Sequence, residues 1–407
     1  MSMQHFTPAQ WTLIDLASQY GNDKDLYDDR LQFGREMLEA IKEGNIEPWI
    51  DAAENPALFT KGVFAVEEIL QGIPTSHDIG LDAAASGPQL LSILLHCRTG
   101  MENTGALNTG RVPDVYTRIH ENTTIVGVTR KEVKAAAVPF AYGSDAKPVQ
   151  VFGEDKVEEF EKAYERTLPE AYWARKTLIN AWNPDALYHE VTLPDGYVAH
   201  MESRGLEEFR SEIFGYRYTY QTTVNRPLKK GENKTKALAA NVTHGFDGFV
   251  VRELDNRCNY NQNIIRFAIE AIDNHLEHGS EFKYEPFLRI QSLALRSNFI
   301  SVANLENIRM NGLEGADESY LLRLRERAID MLMNESFVTY SIHDEFKCGV
   351  NHVERLREVY NQIIAEAYLS TWLLDVIEDL TGDRYVWNEP TDMEIYNQLL
   401  QSNYAIG

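Results

Sequence analysis

The 407-residue sequence holds only three cysteines, Cys97, Cys258 and Cys348, and no Cys-x-x-Cys pair. Such spacing offers neither a zinc cage nor a disulfide framework, and it fits a reducing cytoplasm. Long apolar runs are missing, as is a basic segment followed by an apolar one near Met1, so neither a spanning helix nor a secretory leader is expected. Positive charge is also scarce: 39 Lys and Arg stand against 62 Asp and Glu, a net charge of −23. A uniformly basic surface that coats nucleic acid is thereby excluded, and any phosphate contact has to be local. The densest basic stretch, Arg226, Lys229, Lys230, Lys234 and Lys236 around Gly231 and Asn233, reads first as a solvated loop and only second as a nucleic-acid contact. Neither a Walker loop nor a dinucleotide-binding Gly-x-Gly-x-x-Gly occurs, so a nucleotide would have to be held in another way.

What is present is the pattern of a helix-rich α+β protein large enough for two or three domains. Residues 8–70 read as helices broken by a polar turn, with Leu13, Leu16, Ala17 and Tyr20 at helical spacing, then Leu31, Leu38 and Ile41. Thr75–Asp82 predicts a short strand, followed by the small-residue turn Ala83-Ala84-Ala85-Ser86-Gly87 and an apolar helix opened by Pro88. Thr129–Tyr142 predicts a helix closed at Gly143 and kinked near Ala135 by Pro139. Residues 155–185 and most of 260–335 read as helix, and Thr192–His200 as a hairpin turning at Pro194-Asp195-Gly196. Phe337–Ile342 and Glu345–Val350 predict a second hairpin, whose turn presents His343 and Asp344.

Asp82 at a strand end and Asp344 at a hairpin tip are places where a carboxylate projects into a cleft. Two such groups suit a pair of Mg²⁺ ions about 3.5–4 Å apart, as nucleotidyl transfer requires, because magnesium takes hard oxygen ligands from one or two carboxylates plus substrate phosphates. Taken singly, each aspartate reads as a turn former. Arg130 and Lys134, four residues apart, share one helix face and can grip one anion, although the same spacing also describes a solvated stripe.

In order and together, these segments resemble the bacteriophage and mitochondrial type of single-subunit RNA polymerase, whose palm and fingers also occur in related DNA polymerases. Asp82-Ala-Ala-Ala-Ser86-Gly87 resembles the first catalytic motif, with Ala83 lending its carbonyl to the metal where the family usually has glycine. Thr129–Lys134 through Tyr142-Gly143 resembles the fingers helix. The resemblance implies that Arg130 and Lys134 hold the triphosphate, that Lys134 protonates the leaving pyrophosphate, and that Tyr142 helps to choose ribose. Ser341-Ile342-His343-Asp344 resembles the third motif, implying Asp344 as second metal ligand and His343 as support for the primer end. Asn241–Gly248 implies a contact from His244 to the 2′-hydroxyl, Pro113–Tyr116 a further active-site residue in Tyr116, and Gly21–Arg30 an approach of Lys24 and Arg30 to the phosphates. The ending Ser402–Gly407 is similar to the family's aromatic terminus that tucks back toward the site. Taken alone, Arg30 and this ending read more simply as packing features.

The implied layout is a helical lead-in at 1–75, palm at 76–98, fingers at 99–243, palm again at 244–365 with a helical insertion at 255–335, and a palm extension at 366–407. The family's thumb, promoter-reading region and upstream palm have no counterpart here. Its Asp-x-x-Gly-Arg motif has only Gly34-Arg35, with Leu31 in the aspartate's place. The expectation is therefore a split enzyme, similar to the larger subunit of the two-subunit middle-gene polymerase of the N-four-like phages and working in the cytoplasm of an infected bacterium. A smaller subunit would supply the missing parts. The other expected partners are template DNA, in duplex or single-stranded form, nascent RNA, ribonucleoside triphosphates and a recruiting DNA-binding factor, with no membrane. The alternatives are a DNA polymerase of the same class and a non-catalytic scaffold.

Overall fold

A computed structural model describes residues 2–229, 237–386 and 391–407, and it is a helix-rich α+β structure with small antiparallel sheets. Lys230–Lys236, most of the basic stretch, lies outside the described residues. Among the described residues, no helix is long and apolar enough to cross a membrane, and all three cysteines are free and buried.

The centre is a three-stranded sheet built from two distant segments. Strand Glu345–Gly349 lies in the middle, between Asp78–Asp82 and Thr339–Ile342, all antiparallel. The expected hairpin therefore forms with a two-residue turn, and His343 takes φ 58° within it. Register places Asp82 opposite Glu345. Two residues earlier, a Cβ at Gly80 would meet the Glu345 carboxylate, which would have to swing aside.

Helices cover this sheet. Val353–Tyr368 has twelve of its residues buried, and Phe346 packs on its Tyr360 with ring centroids 5.5 Å apart. The N-terminal helix Pro8–Ala17 starts in a capping box of Thr7 and Gln10 and is tied to the sheet by buried Asp15, which meets His77 Nε2 at 2.8 Å. Helix Tyr27–Glu43 crosses Pro8–Ala17 at Gly34, where a Cβ would approach the Leu13 carbonyl oxygen to 2.5 Å. That contact accounts for Gly34 as a packing glycine.

The segment 155–185 is helical as expected, but it divides into Val157–Thr167 and Pro169–Asn180. Pro169 pushes Leu168 out of the helical region, to φ −138° and ψ 63°. Helix Arg130–Ala141 runs without interruption through Pro139, which sits in its last turn. The expected hairpin closes between Tyr188–Thr192 and Val198–Glu202, its turn holding Gly196 at φ 83°. A second hairpin, Arg204–Ile213 with Tyr216–Asn225, stands almost wholly in solvent.

Helices Gln262–His278, Glu285–Ser297 and Glu318–Leu332 form a satellite core of their own around Ile265, Ile272, Phe287, Tyr320 and Leu324. A buried ionic knot anchors it to the main body. Arg257 donates to Glu366 at 2.7 and 3.0 Å and to Glu253 at 2.8 Å, and Glu253 accepts from the Ser301 hydroxyl at 2.6 Å. Each buried charge thus has its partners, the condition for burying it at all.

Candidate active site

Asp82 ends its strand and Asp344 precedes the neighbouring one, so pairing of Asp82 with Glu345 brings the two carboxylates side by side at one sheet end. Both line a cavity of about 200 Å³ with Tyr116, Lys134 and Tyr142. A larger cavity of about 550 Å³ adjoins it, sharing Asp82, Ala83, Tyr116 and Lys134 and adding Lys24 and Arg130. Residues named from five separate stretches of sequence therefore meet around one cleft.

The cleft's acidic side is strained by its own charge. Burial, then the charges of Asp344 and Glu345, push the Asp82 carboxyl up to about 6. Burial and then Asp344 do the same to Asp247, also to about 6. Crowded carboxylates with raised proton affinity are what a divalent cation would relieve, and their hard oxygens match magnesium. Among the described residues no three His, Cys, Asp or Glu side chains form a metal cage by themselves.

The sign of the resulting pH effect is fixed. A carboxyl held above its ordinary value of 3.8 contributes stability below that value and loses it as pH rises through about 6. At pH 7.5 without divalent ions, Asp82→Asn should melt about 2 °C above wild type, a gap that closes below about pH 4. Added Mg²⁺ should raise the wild-type midpoint and leave that of Asp82→Asn nearly unchanged. Differential scanning calorimetry across pH checks both; a variant less stable at every pH would refute the crowding.

The cationic side rests on helix Arg130–Ala141, which begins in a reciprocal cap between Thr129 and Glu132, as its sequence invites. Arg130 Nε donates to Asp114 at 2.7 Å and to Thr117 at 3.0 Å, and Lys134 Nζ lies 5.4 Å from the Tyr116 ring centre. Burial pushes Tyr116 up to about 12, so it stays a neutral hydroxyl. At the other helix end, Arg175 donates to the Phe140 carbonyl at 2.6 Å and covers the Phe140 ring at 3.8 Å. This guanidinium fixes the helix terminus from which Tyr142 emerges. Tyr142 stacks on His244, with centroids 4.2 Å apart and planes 7° from parallel, and burial pushes its phenol up to about 12. Desolvation of the His244 ring lowers its proton affinity and favours neutral imidazole.

The remaining expected residues divide. Lys24 lines the larger cavity and lowers the proton affinity of Asp82 by its charge, while ion-pairing with Asp23. Arg30 lines the same cavity but is largely buried, and its guanidinium donates to the carbonyls of Asp25 at 2.9 Å and Asp23 at 2.7 Å. It thereby shapes the loop that carries Lys24. His343 is exposed at the hairpin tip, and Ala83 is buried but lines both cavities beside Asp82. The ending folds back: Tyr404 stacks on Tyr27 at 4.7 Å, and the Gly407 N–H donates to the Asp82 carbonyl at 2.9 Å.

Sequence reasoning gave no role to Asp114, Arg175, Asp247 or Ser86. Asp114 and Asp247 both sit inside stretches quoted for a neighbour, which was the available signal. No protein-family model matches the chain, and comparison with curated proteins finds no match either.

Proposed function

We propose that this chain is the catalytic subunit of a DNA-directed RNA polymerase of the single-subunit phage and mitochondrial type, divided between two polypeptides. The observation that carries the reading is the meeting of Asp82 and Asp344 at one sheet end, facing Lys134 and Arg130 across the same cleft. Adjacent carboxylates opposite a phosphate-binding helix face are the chemistry of nucleotidyl transfer. A scaffold has no physical need for the crowded carboxylates, which cost stability.

In this reading the incoming ribonucleoside triphosphate enters with its phosphates along the helix face. Arg130 exchanges Asp114 for phosphate oxygens, and Lys134 holds the leaving pyrophosphate and donates a proton to it. Tyr142 and His244 form a wall against the base and sugar, and His343 steadies the RNA 3′ end. Two Mg²⁺ ions, held by Asp82, Asp344 and the Ala83 carbonyl, would supply activation of the 3′-hydroxyl and neutralise charge on the phosphates. The smaller subunit contributes thumb and upstream palm, and template DNA and nascent RNA occupy the open side.

Lys134→Ala should lower the rate of single-nucleotide addition by on the order of a hundredfold and weaken triphosphate binding. Rapid-quench kinetics at varied substrate concentration separates the two, and unchanged kinetics would remove Lys134 from the site. Purifying the chain from the cells in which it is made should yield a smaller polypeptide in equal amount. Full polymerase activity from the chain alone would refute the division.

A further inference from the structure

Helix Ala237–Cys258 carries His244 and Asp247, three residues apart and so on one face. That face meets the turn after Asp82. The Ser86 hydroxyl donates to Asp247 Oδ2 at 3.4 Å, which leaves the Ser86 oxygen able to accept from the neighbouring Tyr142 hydroxyl. Beside it, Gly87 leaves room for that phenol: a Cβ at Gly87 would lie 2.8 Å from the Tyr142 hydroxyl and 3.0 Å from the Thr243 methyl. With the Tyr142 ring stacked on His244, the phenol is held from three directions. Asp247 meanwhile faces the negative charges of Asp344 and Asp82. A carboxylate so placed costs stability, and an apolar residue would fill a purely structural position without that cost.

We propose that Asp247 is a positioning residue for sugar selection: it orients the Ser86 hydroxyl, which in turn fixes the Tyr142 hydroxyl at the sugar side of the cleft. The inference rests on the polymerase reading and extends it to residues outside the metal pair and the phosphate grip. The Tyr142 hydroxyl is small and rotates freely about its C–O bond unless a partner sets its direction. Only an oriented hydroxyl distinguishes a ribose from a deoxyribose, because the discrimination depends on whether its hydrogen bond is satisfied.

The test is a double-mutant cycle on the copurified two-subunit enzyme, adding ATP or dATP to an RNA primer opposite template dT. Ser86→Ala and Asp247→Ala should each lower the ribonucleotide to deoxyribonucleotide ratio of kcat/KM about fivefold, the size expected for one neutral hydrogen bond. In the Tyr142→Phe background, where the hydroxyl is gone, the same substitutions should leave the ratio unchanged. Asp247→Asn keeps an acceptor oxygen and should stay within about twofold of wild type. Equal losses in both backgrounds, or an unaltered ratio in Ser86→Ala, would overturn the proposal. If Asp247→Ala does not fold, Ser86→Ala and Asp247→Asn decide it. A wild-type enzyme that adds no templated nucleotide removes the polymerase reading and this inference together, whereas an active one with an additive cycle removes this inference alone.

Discussion

Asp82→Asn and Asp344→Asn should each lower templated nucleotide addition by on the order of a thousandfold or more, with folding and partner binding retained. Asparagine has the shape of aspartate and keeps one carbonyl oxygen, so the strand pairing of Asp82 with Glu345 and the turn at Asp344 survive. The Gly407 N–H bonds the main-chain carbonyl of residue 82, which the change does not touch. What disappears is one negative charge from a pair, and with it the hard anionic oxygen that a divalent ion needs. Single-turnover primer extension gives the rate and size-exclusion chromatography the assembly. Full extension by either variant would remove its aspartate from the chemistry. The expected gain in metal-free stability for Asp82→Asn makes the dissection sharper, because a more stable and inactive protein cannot be explained by misfolding.

Tyr142→Phe should cut the preference for ribonucleotides at least about tenfold while ribonucleotide addition itself continues. The aromatic ring remains and still stacks on His244, so the wall beside the base is kept and only the hydroxyl is lost. A site that reads a hydroxyl by hydrogen bonding discriminates strongly, and it loses that power when its own partner group is removed. A DNA polymerase of the same palm-and-fingers class predicts the opposite pattern: ribonucleotides poor from the outset and sugar preference unmoved by the substitution. The kcat/KM ratio for ATP against dATP separates the two.

The sheet end was readable in the sequence because both aspartates sit at local punctuation. Asp82 follows a short strand and precedes a run of small residues, and Asp344 falls in a two-residue turn between β-branched and aromatic segments. Helix Arg130–Ala141 was legible from Gly143 at its close, and the structure adds the Thr129 and Glu132 cap at its start. Asp247 could not be found in that way. Its donor, Ser86, lies 161 residues away, and only tertiary folding makes them neighbours. Nor did spacing reveal what Arg30 bonds: Gly21 at φ 129° precedes a loop whose Asp23 and Asp25 carbonyls meet the guanidinium. The hairpin of Arg204–Ile213 and Tyr216–Asn225 also escaped notice, although the alternation of Tyr216, Tyr218 and Tyr220 directly after Gly215 was a readable strand and turn signal. Pro139, expected to bend its helix near Ala135, stands in the last turn of a helix that continues to Ala141.

The most direct test of the central claim is single-nucleotide addition by the copurified enzyme to an RNA primer annealed to single-stranded DNA. In the presence of Mg²⁺ the primer should gain the one ribonucleotide complementary to the template and release one pyrophosphate, and chelation should stop the reaction. Failure to extend the primer with the partner present, or extension that ignores the template base, would contradict the assignment of Asp82 and Asp344 to nucleotidyl transfer.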